Sequence, residues 1–157
     1  MSNGWVLGVD PGYTTGISVV DITTGRELRW WHVKFDDILI WFLTNDCLDL
    51  GVDEIFMEDF TLLQHKALQQ SGSRLETVQV IGMVKMWAVN TNTPIHMQLP
   101  TIKALAEKWT GVVPKGSHDK SHHIDAYNHA CYGLRKQGRF VTVLERETSN
   151  DRSDRDE

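Results

Sequence analysis

Val6-Leu7-Gly8-Val9-Asp10-Pro11-Gly12-Tyr13-Thr14-Thr15-Gly16-Ile17-Ser18-Val19-Val20 governs how the rest of this sequence is read. Val6 to Asp10 is a short apolar run, rich in β-branched residues, that ends in a carboxylate, and it reads as a buried strand. Pro11-Gly12 is a strong turn signal. Gly16 to Val20 reads as a second strand, and the short link predicts a hairpin. Asp21 to Gly25 is polar and turn-like. Glu27 to Lys34 supplies a third strand, with Trp30 and Trp31 on opposite faces. Three strands in quick succession predict an antiparallel start.

Beyond them the pattern alternates. Asp36 to Leu50 reads as a helix, because Ile38, Trp41, Phe42 and Leu48 recur at helical spacing behind an Asp36-Asp37 cap. Glu54 to Glu58 reads as a buried strand, again closed by a carboxylate. Residues 61–73 form a polar, partly basic connection with helical potential. Arg74 to Asn90 reads as a helix, Thr93 to Gln98 as a strand, and Pro100 opens a helix through about Trp109, since proline suits the first turn. Gly111 to Lys120 is a loop, Ser121 to Lys136 a last helix, and Phe140 to Leu144 a short strand. This predicts an α/β architecture: a mixed sheet of about five strands, the first three antiparallel, with helices on both faces. Residues 1–144 form one domain. Residues 145–157, rich in Asp, Arg, Glu and Ser, read as a disordered charged tail.

The 157 residues carry 41% hydrophobic side chains, enough for the core of one domain. No apolar run is long enough to cross a bilayer, and Met1 to Asp10 lacks the features of a signal peptide, so neither a membrane protein nor a secreted precursor is expected. Two cysteines, Cys47 and Cys131, cannot build a disulfide framework, which predicts a reducing, cytoplasmic setting. The net charge of -5 hides an asymmetry. Residues 1–60 hold 3 basic and 11 acidic groups, whereas residues 61–120 hold 7 basic and 3 acidic ones. The basic middle is compatible with a polyanionic partner.

Three carboxylates occupy telling places. Asp10 and Glu58 end strands, and Asp125 lies near the start of the last helix. Sheet proteins build sites at the ends of neighbouring central strands. Converging carboxylates repel unless a cation sits between them, and hard oxygen ligands favour Mg²⁺ or Mn²⁺. Strand alternation puts Glu58 and Asp59 on opposite sides, and Glu58 is the favoured one. His122 shares a helix face with Asp125 and can ligate a metal or move protons. His118, His123 and His129 lie nearby. Taken singly, each of these groups also reads as a turn former, helix cap or solvated surface residue; only their combination points to a metal site.

Val9-Asp10-Pro11-Gly12-Tyr13-Thr14-Thr15-Gly16, then Phe56-Met57-Glu58, then His122-His123-Ile124-Asp125-Ala126 resemble the RuvC-type Holliday junction resolvases of the RNase H-like superfamily. The likeness spans residues 5–137. It implies a homodimeric endonuclease that resolves four-way DNA junctions by paired symmetric nicks. It also implies two Mg²⁺ ions per site, replaceable by Mn²⁺, held by Asp10, Glu58, His122 and Asp125. On that reading Asp10 bridges the ions, Glu58 and Asp125 hold one each, and His122 ligates or orients the attacking water, with His123 as its rival. Lys103 resembles a family lysine that contacts the scissile backbone and offsets charge developing on the phosphate. Phe60 corresponds to a junction-contacting aromatic, and Lys66, Arg74, Lys85, Lys103, Lys108, Lys115 and Lys120 are candidate DNA contacts. The stretch between Lys103 and His122 is shorter than in the bacterial enzymes. This implies a compact, bacteriophage-type member acting in a bacterial or phage-infected cytoplasm. The 74–90 helix is apolar on more than one face, which suits a second subunit.

Other readings start from the same residues. A broader nuclease of forks, flaps and three-way junctions looks alike in sequence, as does a non-catalytic junction-binding protein. A nucleotide-binding domain of the actin-like or sugar-kinase type also begins with a strand, an Asp and a Gly/Thr turn, but needs two such domains. A zinc site around His118–His129 lacks paired cysteines and a fitting spacing.

Overall fold

The computed structural model describes residues 4–44, 51–60, 73–112 and 121–139. Five strands form one sheet: β1 (Trp5–Asp10), β2 (Thr14–Asp21), β3 (Glu27–Lys34), β4 (Glu54–Glu58) and β5 (Ile95–Gln98). Their order is β3-β2-β1-β4-β5. The first three pair antiparallel, as their short turns require, and β4 and β5 join parallel to β1. The helices are α1 (Phe35–Thr44), α2 (Ser73–Thr91), α3 (Lys103–Thr110) and α4 (His122–Lys136). Pro100–Ile102 makes one 3-10 turn before α3, so the proline starts a tighter turn than the expected α-helix.

Alternation along the strands makes two faces. Leu7, Val9, Ile17, Val19, Ile55 and Met57 point to one, where Ile38 and Phe42 of α1 and Val80, Val84 and Trp87 of α2 close the main core. Trp31 packs on this side, whereas Trp30 is half exposed. Val6, Val20 and Phe56 point to the other face, against Tyr127, Ala130, Cys131 and Leu134 of α4. Helices on both faces of a mixed sheet are what the sequence pattern predicts.

The seat of α4 is unusually close. A Cβ at Gly8 would lie 1.9 Å from the carbonyl oxygen of Ala126, and one at Gly16 would lie 2.0 Å from that of His122. Only glycine lets helix backbone meet strand backbone at this distance. At Gly133, on the helix itself, the ring of Phe56 takes the space a side chain would need. Among the described residues no helix is long and apolar enough to cross a membrane. The expected strand at Phe140–Leu144 and the tail 145–157 lie outside the described residues.

Candidate active site

β1 and β4 run side by side in parallel, with Val9 opposite Met57. The next residues, Asp10 and Glu58, therefore emerge together at the same end of the sheet. α4 crosses that end by its first turns and adds His122 and Asp125. His122 Nδ1 lies 2.7 Å from Asp10 Oδ2. Lys103, at the start of α3, sends its ammonium into the middle: Nζ is 2.7 Å from Glu58 Oε2, 3.1 Å from Asp10 Oδ1 and 3.3 Å from Asp125 Oδ2. An open cleft of about 400 Å³ exposes this cluster, walled by the Pro11–Thr14 turn and by Thr77 of α2.

The electrostatics follow from burial and neighbours. Asp10 is only 6% exposed. Burial pushes its carboxyl up, but the hydrogen bond with His122 and the charge of Lys103 outweigh that and hold it below its ordinary value. The bond to Asp10 raises His122 against the opposing effect of burial. Asp125 goes up through burial and the repulsion of Asp10 and Glu58, which Lys103 only partly offsets. Three carboxylates facing one ammonium leave a surplus of negative charge.

His129 belongs to this cluster, and the sequence reading did not place it there. It is fully buried, with Nε2 3.1 Å from Glu58 Oε2 and Nδ1 2.7 Å from Gln98 Oε1. The signal was present: His122, Asp125 and His129 stand at i, i+3 and i+7, one stripe of a helix. Gln98 gave no comparable signal, because its place beside Glu58 comes from the β4–β5 register. Two sets of ligand atoms lie within 4.8 Å of one another: Asp10, His122 and Asp125, and Asp10, Glu58 and His129. Carboxylates and imidazoles around a point that already draws in an ammonium are a donor set that fits divalent cations.

The other candidates separate. Asp59 turns back to accept the Phe60 backbone N–H, so Glu58 is the inward carboxylate. His123 faces away from Asp10, paired with His32 at 2.9 Å and stacked on Trp30. Phe60 packs against the main core, so the aromatic expected at the DNA surface is at least partly a core residue here. Lys85 and Lys108 are exposed. Arg74 lies on α2, but its side chain is outside the described residues, as are Lys66, Lys115, Lys120 and His118.

No known protein-family pattern and no curated protein sequence matches the chain. Solved structures do. Thermus thermophilus RuvC in complex with a Holliday junction substrate superposes with a TM-score of 0.60 at 16% identity, over 85% of this chain and 95% of that one. A second Thermus thermophilus RuvC structure gives 0.56 at 18% identity, over 86% and 97%. The chain has the fold of RuvC. The strand order, the antiparallel start and α4 laid across β1 and β2 are thus a RuvC-like, RNase H-like arrangement, and the acidic cluster sits where the interior strands β1 and β4 end.

Proposed function

We propose that this chain is a metal-dependent, structure-selective endodeoxyribonuclease that resolves four-way DNA junctions by paired symmetric nicks. The observation that carries this reading is the convergence of Asp10, Glu58, His122 and Asp125 from β1, β4 and α4 on one cation-binding point of a RuvC-like fold. One of the matching structures is RuvC bound to such a junction, which supports the same substrate class here.

Asp10, Glu58, His122 and Asp125 would hold two divalent cations, Mg²⁺ or Mn²⁺, which would polarise the phosphodiester and acidify the attacking water. Asp10 belongs to both ligand sets and is the shared carboxylate. His122 keeps its Nδ1 against Asp10 and so fixes the orientation of that carboxylate. Lys103 supplies a fixed positive charge at the floor of the cleft, where it can offset charge developing on the phosphate. Exposed Lys85 and Lys108, with Lys66, Arg74, Lys115 and Lys120, supply basic surface for the arms, so binding weakens steeply with salt. A homodimer places two such sites on one junction. α2 leaves Leu75, Val78, Met86 and Val89 exposed beside its buried stripe, a face suited to a second copy.

The test is incubation with labelled four-way, three-way, flap and linear DNA in Mg²⁺, in Mn²⁺ and in EDTA, alongside Asp10→Asn. Paired nicks confined to the four-way junction, reduced about 10²–10³-fold or more in the variant, are the expected result. Equal cutting of forks and flaps makes the protein a general debranching nuclease. Binding without cutting in either metal ion leaves it a junction-binding protein.

A further inference from the structure

We infer that His129 is a metal ligand, oriented by Gln98, and that its nitrogen makes the second cation position of this centre select Mn²⁺ or a similar first-row divalent ion over Mg²⁺. The inference rests on reading the cluster as a metal centre and not on the choice of DNA substrate.

The argument starts from the ring's two nitrogens. Nδ1 lies 2.7 Å from Gln98 Oε1. An amide oxygen only accepts, so Nδ1 carries the proton and donates it. The other ring nitrogen, Nε2, faces Glu58 Oε2 at 3.1 Å. A ring nitrogen and a carboxylate oxygen this close, with an Asp10 oxygen also within 4.8 Å, form a donor set that a divalent cation can draw together. Lys103, from α3, meets the same Glu58 oxygen at 2.7 Å, so this carboxylate already attracts a cation.

The surroundings are those of a held ligand. His129 is fully buried and Gln98 is 9% exposed. Gln98 pairs in register with Glu58 across β4 and β5, so the residue that orients the ring is fixed to the residue that shares its cation. A ligating histidine usually donates its second N–H to such a partner, which sets the tautomer and the ring angle. Asp10, Glu58 and His129 bring their ligand atoms within 4.8 Å of one another. That set is two carboxylates and an imidazole. Oxygen-only sites suit Mg²⁺, whereas imidazole shifts preference toward transition metals.

The experiment is Mn²⁺ titration of the full chain, followed by electron paramagnetic resonance, with pulsed detection of ¹⁴N coupling. The wild type should bind two Mn²⁺ ions and show nitrogen coupling. His122→Asn leaves His129 intact, and its remaining ion should still show that coupling. His129→Asn should lower the capacity for tightly held Mn²⁺ from two ions to one, with Mg²⁺ affinity little changed. Gln98→Leu, which keeps the imidazole, should weaken Mn²⁺ binding about 10-fold. Circular dichroism of each variant identifies any that fails to fold, and the His122→Asn arm then decides alone. Loss of nitrogen coupling in His122→Asn, or two equally tight Mn²⁺ ions in His129→Asn, overturns the ligand assignment and leaves the metal centre standing. A wild type that binds no Mn²⁺ overturns both.

Discussion

Both faces of the sheet are covered by helix, but the two contacts are built from different materials. Toward α1 and α2 the central strands present Leu7, Val9, Ile17, Val19, Ile55 and Met57, all of them large and apolar. Toward α4 the same strands present Gly8, Asp10, Gly16, Ser18 and Glu58, with Val6, Val20 and Phe56 confined to one end. The first face fills volume, and side chains separate its two layers. The second brings backbone against backbone and reserves the remaining space for charged and hydrogen-bonding groups. A glycine seat gives up buried apolar area but fixes the distance between helix and sheet, which is what ligands contributed by both require. One face therefore carries stability and the other carries position.

That division can be broken experimentally. Phe42→Ala empties a space between Trp41 and Trp87 on the packed face. It should cost about 3–5 kcal/mol in chemical denaturation, while metal affinity of the folded fraction stays the same. A matching loss of affinity would mean the two faces are not separable. Gly8→Ala forces its methyl onto the Ala126 carbonyl and should cost up to about 3 kcal/mol. Here metal affinity should fall as well, because α4 must lift; retained affinity would contradict the positional role of the glycines. Thr110→Val tests the contact between α3 and α4. Thr110 Oγ1 donates to Asn128 Oδ1 at 2.9 Å in a buried bond and accepts the half-buried Val112 N–H at 3.1 Å. Leaving those groups unpaired should cost about 1–2 kcal/mol in a denaturant midpoint measurement.

The smallest effect is a slope. Burial of α4's apolar end against the sheet pushes the Cys131 thiol up to about 12, from an ordinary 9.0. The unfolded chain loses that proton first, so the thiol's contribution is complete below pH 9 and is lost as pH rises toward 12. At pH 10 the loss should be about 1 kcal/mol. Stability measured from pH 8 to 10 should fall less steeply in Cys131→Ala than in the wild type, both carrying Cys47→Ser. Equal slopes would show that the thiol is not shielded.

Much of this was legible beforehand, for local reasons. The β1–turn–β2 unit follows from β-branched runs around Pro11-Gly12, and the choice of Glu58 over Asp59 follows from strand alternation alone. His122 with Asp125 follows from helical spacing. The missed pieces depend on pairing between distant segments. His129 sits among Asn128, Ala130 and Cys131 and reads as a core histidine until β5 sets Gln98 beside Glu58. Lys103 reads as a phosphate contact, yet its charge partners Asp10 and Asp125 lie 93 and 22 residues away and gather only in the fold. Phe60 reads as a DNA-facing aromatic, and the apolar surface it meets makes it at least partly a core residue.

The 112-position separation of Asp10 and His122 in the sequence has a consequence in time. The strands that carry Asp10 and Glu58 are synthesised first and can pair while the chain is still growing. α4 is the last described element to emerge, and three of the cluster's residues are on it. A nascent chain stopped short of residue 122 carries the strand ends without the imidazoles and without Asp125. On the proposed function, a half-made molecule near nucleic acid lacks the completed centre, and the final helix supplies it.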